Sequence, residues 1–461
     1  MTQNISPVIA SEMRPTRIDR LLHMAGLDFH ILVTLLFRSW SIMAGGITVL
    51  LIPMFLSPSQ QGYYYTFSAV LATQIFFELG LNHVLIQLTS HAAAHLHRVS
   101  ETRLEGDVRW RYAIASLIRL SAKWNAVMAS LFFITLLVGG SWFFSNKGSL
   151  STTQWLTVWG VLVAATAVNL ALSARLAICE GLGEIGHVAR LRLYQSIAGY
   201  ALLWFLLARG AGLWAVTAVP LANMLGTIWW LSRRRLTKGL NVQGLVTATD
   251  GCYTYRRDVF PLQWRIALSW ASGYFIFNFL TPVVFALQGA VAAGKLGLSM
   301  AIFSAISTVG ISWIHAKIPT FSAHIARNER AELNTIFNRQ AIRAIGATTL
   351  CTAIFLVAVE VADQFTPKVL DRLPPRTALL LLSIATVANA AIFAMAAYIR
   401  AHKEEPLMAQ SVASALLIGT GVYAMAHVGL IATVATYAGI TVFVGLPWCA
   451  LIFNRYRQKT L

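Results

Sequence analysis

Apolar stretches, each closed by a polar segment, recur from Ile31 almost to the C-terminus. A hydrocarbon core of about 30 Å takes roughly 20 apolar residues in helical form to cross. The pattern therefore predicts twelve membrane-spanning helices, near residues 31–56, 63–89, 124–144, 155–178, 193–209, 214–232, 264–288, 297–319, 342–362, 378–399, 407–427 and 429–452. The polar segment 233–263 separates two groups of six. It carries Arg233, Arg234, Arg235, Arg256 and Arg257, as a charged linker between halves should. The expected organisation is an N-terminal segment 1–30, a first six-helix bundle 31–232, the linker 233–263, a second six-helix bundle 264–452 and a tail 453–461. A weak internal repeat agrees with this division. Ser39-Trp40 precedes Pro53 and Phe55 in the first span, as Ser269-Trp270 precedes Pro282 and Phe285 in the seventh.

Composition supports a membrane solvent: of 461 residues, 57% are hydrophobic and 12% charged, whereas soluble domains are about 25% charged. A net charge of +18 would suggest nucleic acid in a soluble chain. Here its placement carries a different meaning. Inner segments and the adjoining helix ends hold 29 of the 36 Lys and Arg residues and the outer ends six, with Arg38 as the remainder. This bias places both termini in the cytoplasm, with anionic-lipid contact as a secondary effect. Arg14, Arg17, Arg20 and Asp28 precede the first span without a small-residue cleavage site, so no cleaved leader is expected. The scattered Cys179, Cys252, Cys351 and Cys449 indicate neither a disulfide framework nor a zinc site.

Outer loops are short, and no acidic pair or His/Cys cluster stands out, which argues against an enzyme such as a glycan polymerase, ligase or transferase. The informative residues are charges inside hydrocarbon, where each needs a partner or water. Arg38 and Glu78 lie at depths that differ by about 6 Å on neighbouring antiparallel spans. They form either a permanent salt bridge or part of an aqueous cavity. Gln74, Glu78 and Asn82 recur every four residues and so would share one helix face, which favours the cavity. Arg38, Ser41 and Gly45, and likewise Arg265, Ser269 and Ser272, show the pattern more mildly, with close helix packing as the alternative for the small residues. Arg265 is a cavity cation or an interfacial anchor. Guanidinium groups fit phosphate and pyrophosphate oxygens, so Arg38, Arg265, Gln74 and Asn82 are the candidate substrate-binding residues. Glu78 is the candidate for proton or sodium coupling. Tyr63-Tyr64-Tyr65 fits an interfacial aromatic belt, and Ser90–Lys123 reads as an amphipathic surface helix. Glu360 and Asp363 read as interfacial.

Gly62-Tyr-Tyr-Tyr-Thr-Phe67, followed by Gln74-Ile-Phe-Phe-Glu-Leu-Gly-Leu81, resembles the Wzx-type polysaccharide flippases. In the seventh span Leu262-Gln-Trp-Arg-Ile-Ala-Leu-Ser-Trp270, Ser272-Gly-Tyr-Phe275 and Thr281-Pro282 are similar to the same group. The resemblance implies the multidrug/oligosaccharidyl-lipid/polysaccharide exporter fold, all-α, with two six-helix bundles around a central cavity that opens alternately to each side. It also implies a polyprenyl-diphosphate-linked oligosaccharide as substrate, with Arg38, Glu78 and Arg265 on cavity-forming spans. The second half lacks a strong acidic residue at mid-depth, which leaves ion coupling open. The expected protein is a monomeric transporter of the bacterial inner membrane, without cofactor or nucleic acid, in contact with membrane lipids and glycan-assembly enzymes. A drug or metabolite cation antiporter of the same fold is the rival, and it would prefer an acidic, aromatic cavity.

Overall fold

The computed structural model describes residues 29–100, 103–233, 253–365, 370–402 and 406–459. The segment 1–28, most of the linker (234–252) and the side chains of Arg38 and Arg265 lie outside the described residues.

The chain is a multi-pass all-α membrane protein with two six-helix bundles around a central cavity. In the first bundle, α1 (Phe29–Phe55), α2 (Pro58–Glu78) and α3 (Leu81–Ala93) are followed by a hairpin of β1 (Leu96–Ser100) and β2 (Arg103–Gly106). The long α4 (Val108–Lys147), α5 (Thr152–Cys179), α6 (Ile185–Ala208) and α7 (Ala218–Arg233) complete it. In the second bundle, α8 (Tyr255–Phe277) and α9 (Leu280–Gln288) make one bent rod, followed by α10 (Ala290–His315) and the short α11 (Ile318–Ala326). Then come α12 (Arg330–Phe365), α13 (Arg376–Ala401), α14 (Met408–Met425) and α15 (Leu430–Gln458).

Among the described residues eight segments are long and apolar enough to span, and ten if each bent pair counts as one. The difference from the expected twelve lies in one of these segments and in one shorter apolar helix. Thr152–Ala208 is two rods that reverse near Gly183; Gly148 at the start of one and Gly212 at the end of the other both adjoin the first turns of α2. Ser39–Phe55 is the apolar part of the first rod. Two ends can be told apart: a basic end carrying Arg109, Arg327, Arg400 and Arg455, and an opposite end of short loops at Ser57, Gly148, Gly210, Gly289 and Gly429.

Two local expectations are corrected. The polar stretch 90–123 is not one amphipathic helix, because α3 stops at Ala93 and the hairpin intervenes. Asp107 restarts the helix by accepting a hydrogen bond from the Arg109 amide at 2.9 Å, a side-chain cap of the ordinary kind. His95 stacks on Trp110 with ring centroids 4.3 Å apart, tying the two helix ends together across the hairpin. Tyr63 is also not in an interfacial belt. It is fully buried, packed against Phe67, Phe144 and Phe285, and its hydroxyl accepts from the Leu150 amide at 3.2 Å.

The second rod bends by 44° between α2 and α3. Leu79 and Gly80 there adopt left-handed backbone, with φ of 51° and 70°. A side chain at Gly80 would be strained by that conformation, and its Cβ would collide with Ile266 of α8. Gly80→Ala is thus expected to lower the unfolding midpoint in detergent. Gly45→Ala, where a methyl meets nothing within 4 Å, should leave the midpoint unchanged.

Candidate functional site

The bundles meet most closely at the short-loop end, where α2 lies against α10. Gly62 makes this possible: a methyl there would overlap the Ala290 carbonyl, while Gly294 and Gly297 sit against Gly62 and Tyr65. The buried Gln61 amide donates to the Gly294 carbonyl at 2.8 Å and to the Arg372 carbonyl at 3.3 Å. Close approach of this kind is what small residues give membrane helices, since lipid supplies no hydrophobic drive between them. Midway down, Phe76 packs edge-on against Tyr274 at 5.1 Å, again joining the bundles.

Below this seal lies a cavity of about 710 Å³, within the usual size of ligand sites. Its main wall is one face of α10: Gly297, Ala301, Ser304, Thr308, Ile311 and His315 follow intervals of three and four residues and so align in one stripe. The facing wall on α13 follows the same rule, with Leu382, Thr386, Asn389, Phe393 and Arg400. Tyr65, Ser68 and Ala69 of α2 close the first-bundle side, and Asn278 and Thr281 flank the break in the α8–α9 rod. Asn389 donates to the Tyr437 hydroxyl at 3.1 Å, which fixes the amide's orientation toward the cavity wall. His315 and Arg400, at the basic ends of their helices, are exposed, whereas the residues of the seal are buried.

The lining holds one arginine and one histidine and, among the described residues, no aspartate or glutamate. A smaller chamber of about 140 Å³ branches from the cavity and shares Phe277, Asn389, Phe393 and Arg400 with it. It too has no acidic lining among the described residues.

Of the residues singled out from sequence, Ser269 lines the smaller chamber, and the others fall elsewhere or outside description. Glu78 and Asn82 are joined, Asn82 Nδ2 donating to Glu78 Oε1 at 2.8 Å. Ser173 on α5 reaches Asn82 Oδ1 at 3.4 Å, and Asn125 on α4 donates to Ser173 at 3.3 Å. This polar chain crosses three rods inside the first bundle and does not line the cavity. Gln74 is half-buried and likewise absent from the lining. Because the helix breaks after Glu78, Gln74, Glu78 and Asn82 do not form the continuous stripe that their spacing predicts. Arg38 and Arg265 lie on α1 and α8, and the positions of their guanidinium groups fall outside the described residues. Of the small residues, Ser41 and Ser272 donate to carbonyls of their own helices. Gly45 faces open space rather than a packed neighbour. Glu360 and Asp363 pair with Arg376 at 3.0 and 2.5 Å, close to the short-loop end.

Arg400 was missed because it closes an apolar helix and reads as a topological anchor. The signal that points to it is its place on the stripe with Thr386 and Asn389, eleven residues beyond the latter, which is three helical turns. The α10 stripe was legible in the same way, from small and polar residues at helical spacing in an otherwise apolar span.

The fold and the cavity define a multi-pass membrane protein with a chamber between two bundles. No family model and no curated relative matches the chain. Among solved structures it is similar to an inward-facing multidrug resistance MATE family transporter of the MOP superfamily, with 16% identity, 95% of this chain and 98% of that one covered, and a TM-score of 0.63. It is also similar to a MATE in the bent conformation, with 16% identity, coverage of 93% and 95%, and a TM-score of 0.54. A MOP superfamily transporter from Pyrococcus furiosus aligns with 16% identity, coverage of 91% and 95%, and a TM-score of 0.53. The chain therefore has the fold of the MOP superfamily transporters.

Proposed function

We propose that this chain is a flippase that carries a polyprenyl-diphosphate-linked oligosaccharide across the bacterial inner membrane by alternating access. The observation that carries this reading is the cavity's polarity: an arginine, Arg400, with no lining carboxylate among the described residues. A guanidinium at the mouth suits a diphosphate. Hydroxyl and amide groups along the walls, such as Ser304, Thr308 and Thr386, suit sugar hydroxyls, which both donate and accept. For the similar transporter from Pyrococcus furiosus, reverse polarity of the binding pocket suggests a different function, and the polarity of this chain's cavity points away from cationic drugs in the same way. The positive-inside bias sets the basic end and both termini in the cytoplasm, so the sealed state faces inward. Glycan-assembly enzymes on that face would supply the substrate, and the chain would act as a monomer.

Coupling to a proton or sodium gradient is assigned to Glu78, whose polar chain through Asn82, Ser173 and Asn125 runs between rods rather than into the cavity. Arg38, Arg265, Gln74 and Asn82 remain the substrate-contacting candidates for states in which the bundles move apart. A second reading, a drug or metabolite cation antiporter, draws support from the aromatic side chains Tyr65, Phe277, Phe303, Phe393 and Tyr437 on the walls.

Reconstituted vesicles decide between them. Translocation of a lipid-linked sugar, unaffected by lipophilic cations, is the expected result, and cation efflux without lipid-linked sugar movement overturns the flippase. In the same vesicles Glu78→Gln should keep basal translocation but remove its dependence on an imposed gradient. Gradient dependence equal to that of the unmodified protein excludes Glu78 from coupling.

A further inference from the structure

We propose that the 140 Å³ side chamber is a subsite for the isoprene unit next to the diphosphate, with Arg400 at the junction holding the phosphates. This rests on the flippase reading and deepens it. The two chambers meet at Arg400. The larger presents hydroxyls and amides along α10 and α13. The smaller, between α8, α13, α14 and α15, is walled by Ile276, Phe277, Ile392, Leu407 and Ile418.

Four polar residues of the smaller chamber, Gln410, Ser411, Ser414 and Thr441, are bonded inside the protein. Gln410 donates to Ser414 and to the Gly445 carbonyl, both at 3.2 Å. Ser411 donates to the Met408 carbonyl at 2.9 Å, and Thr441 to the Tyr437 carbonyl at 2.8 Å. The chamber's apolar walls suit hydrocarbon. An amphiphile with phosphate between a glycan and an alkyl chain matches this order of surfaces: polar chamber, cation, apolar chamber.

Size limits the occupant. An apolar cavity of roughly 150 Å³ takes up one benzene, so the chamber holds about one isoprene unit while the rest of the tail stays in lipid. Depth agrees, since Arg400 lies in the last turn of α13, near the level where lipid phosphates sit. Within the chamber Gly273 lines the wall, and a Cβ built there meets nothing within 4 Å. A larger side chain at this position would therefore project into the open space.

The test uses purified full-length protein with two probes, inorganic pyrophosphate and geranyl diphosphate. Geranyl diphosphate should bind on the order of tenfold tighter or more, as expected from burying a few methylene groups. Gly273→Leu should abolish that difference and leave pyrophosphate binding unchanged, and Arg400→Ala should weaken both probes. A benzophenone-bearing geranyl diphosphate should crosslink the unmodified protein within α8 or α14, a readout that needs no variant. Equal affinity for the two probes, a full geranyl advantage in folded Gly273→Leu, or crosslinks confined to α10 and α2 would each overturn the subsite and leave the flippase standing. Failure of both anions to bind, with a lipophilic cation binding instead, would overturn the flippase reading itself.

Discussion

Arg400→Ala is expected to abolish translocation of lipid-linked sugar while leaving the protein folded. A charged hydrogen bond contributes about 1.5–3 kcal/mol, so anion affinity should fall roughly 10- to 150-fold. Arg400→Lys should lie between, because an ammonium keeps the charge but not the fork that grips two oxygens. A merely structural arginine behaves differently. A cation at a helix C-terminus contributes about 0.3–1 kcal/mol to stability, and its removal would lower the unfolding midpoint slightly without touching anion binding. Isothermal titration with pyrophosphate beside a thermal melt separates the two. Unchanged affinity with a lowered midpoint would end the case for Arg400 as the anion's partner.

Gly62→Leu is expected to drive the bundles apart at the short-loop end. The contact of α2 with α10 has no room for a side chain, and overpacking costs about 1–3 kcal/mol. Charged against the sealed state alone, that is roughly a 5- to 150-fold shift in a two-state equilibrium. Spin labels on α2 and α10 near this end should report a longer distance, and a cysteine at Ser68 should become reactive from the short-loop side. Gln61→Ala should act in the same direction but more weakly, since it removes only the bonds to the Gly294 and Arg372 carbonyls. A variant that stays sealed with unchanged label distances would show that α2 and α10 do not form the moving contact.

The candidate site was only partly legible beforehand. Glu78 drew attention because a carboxylate in hydrocarbon demands a partner, and it has one in Asn82. Its neighbour Gly80, with Leu79, ends the helical run, so the continuous helical face that periodicity gives Gln74, Glu78 and Asn82 is interrupted, although Glu78 and Asn82 still meet across the break. Arg400 was overlooked for the opposite reason. At a helix end an arginine is ordinary, and only its alignment with walls from three other rods makes it part of a chamber.

By itself, the sequence determined the solvent and the class of fold. A continuous apolar run matched to bilayer thickness satisfies its own backbone as a helix, and the uneven distribution of Lys and Arg predicts an orientation for the set. Only the tertiary structure decided which faces of those helices meet. Apolar patterning does not distinguish a lipid-facing surface from a protein-facing one, because both solvents are oily. The seal at Gly62, the buried Tyr63 and the two chambers joined at Arg400 depend on contacts between residues hundreds of positions apart, which no local pattern encodes.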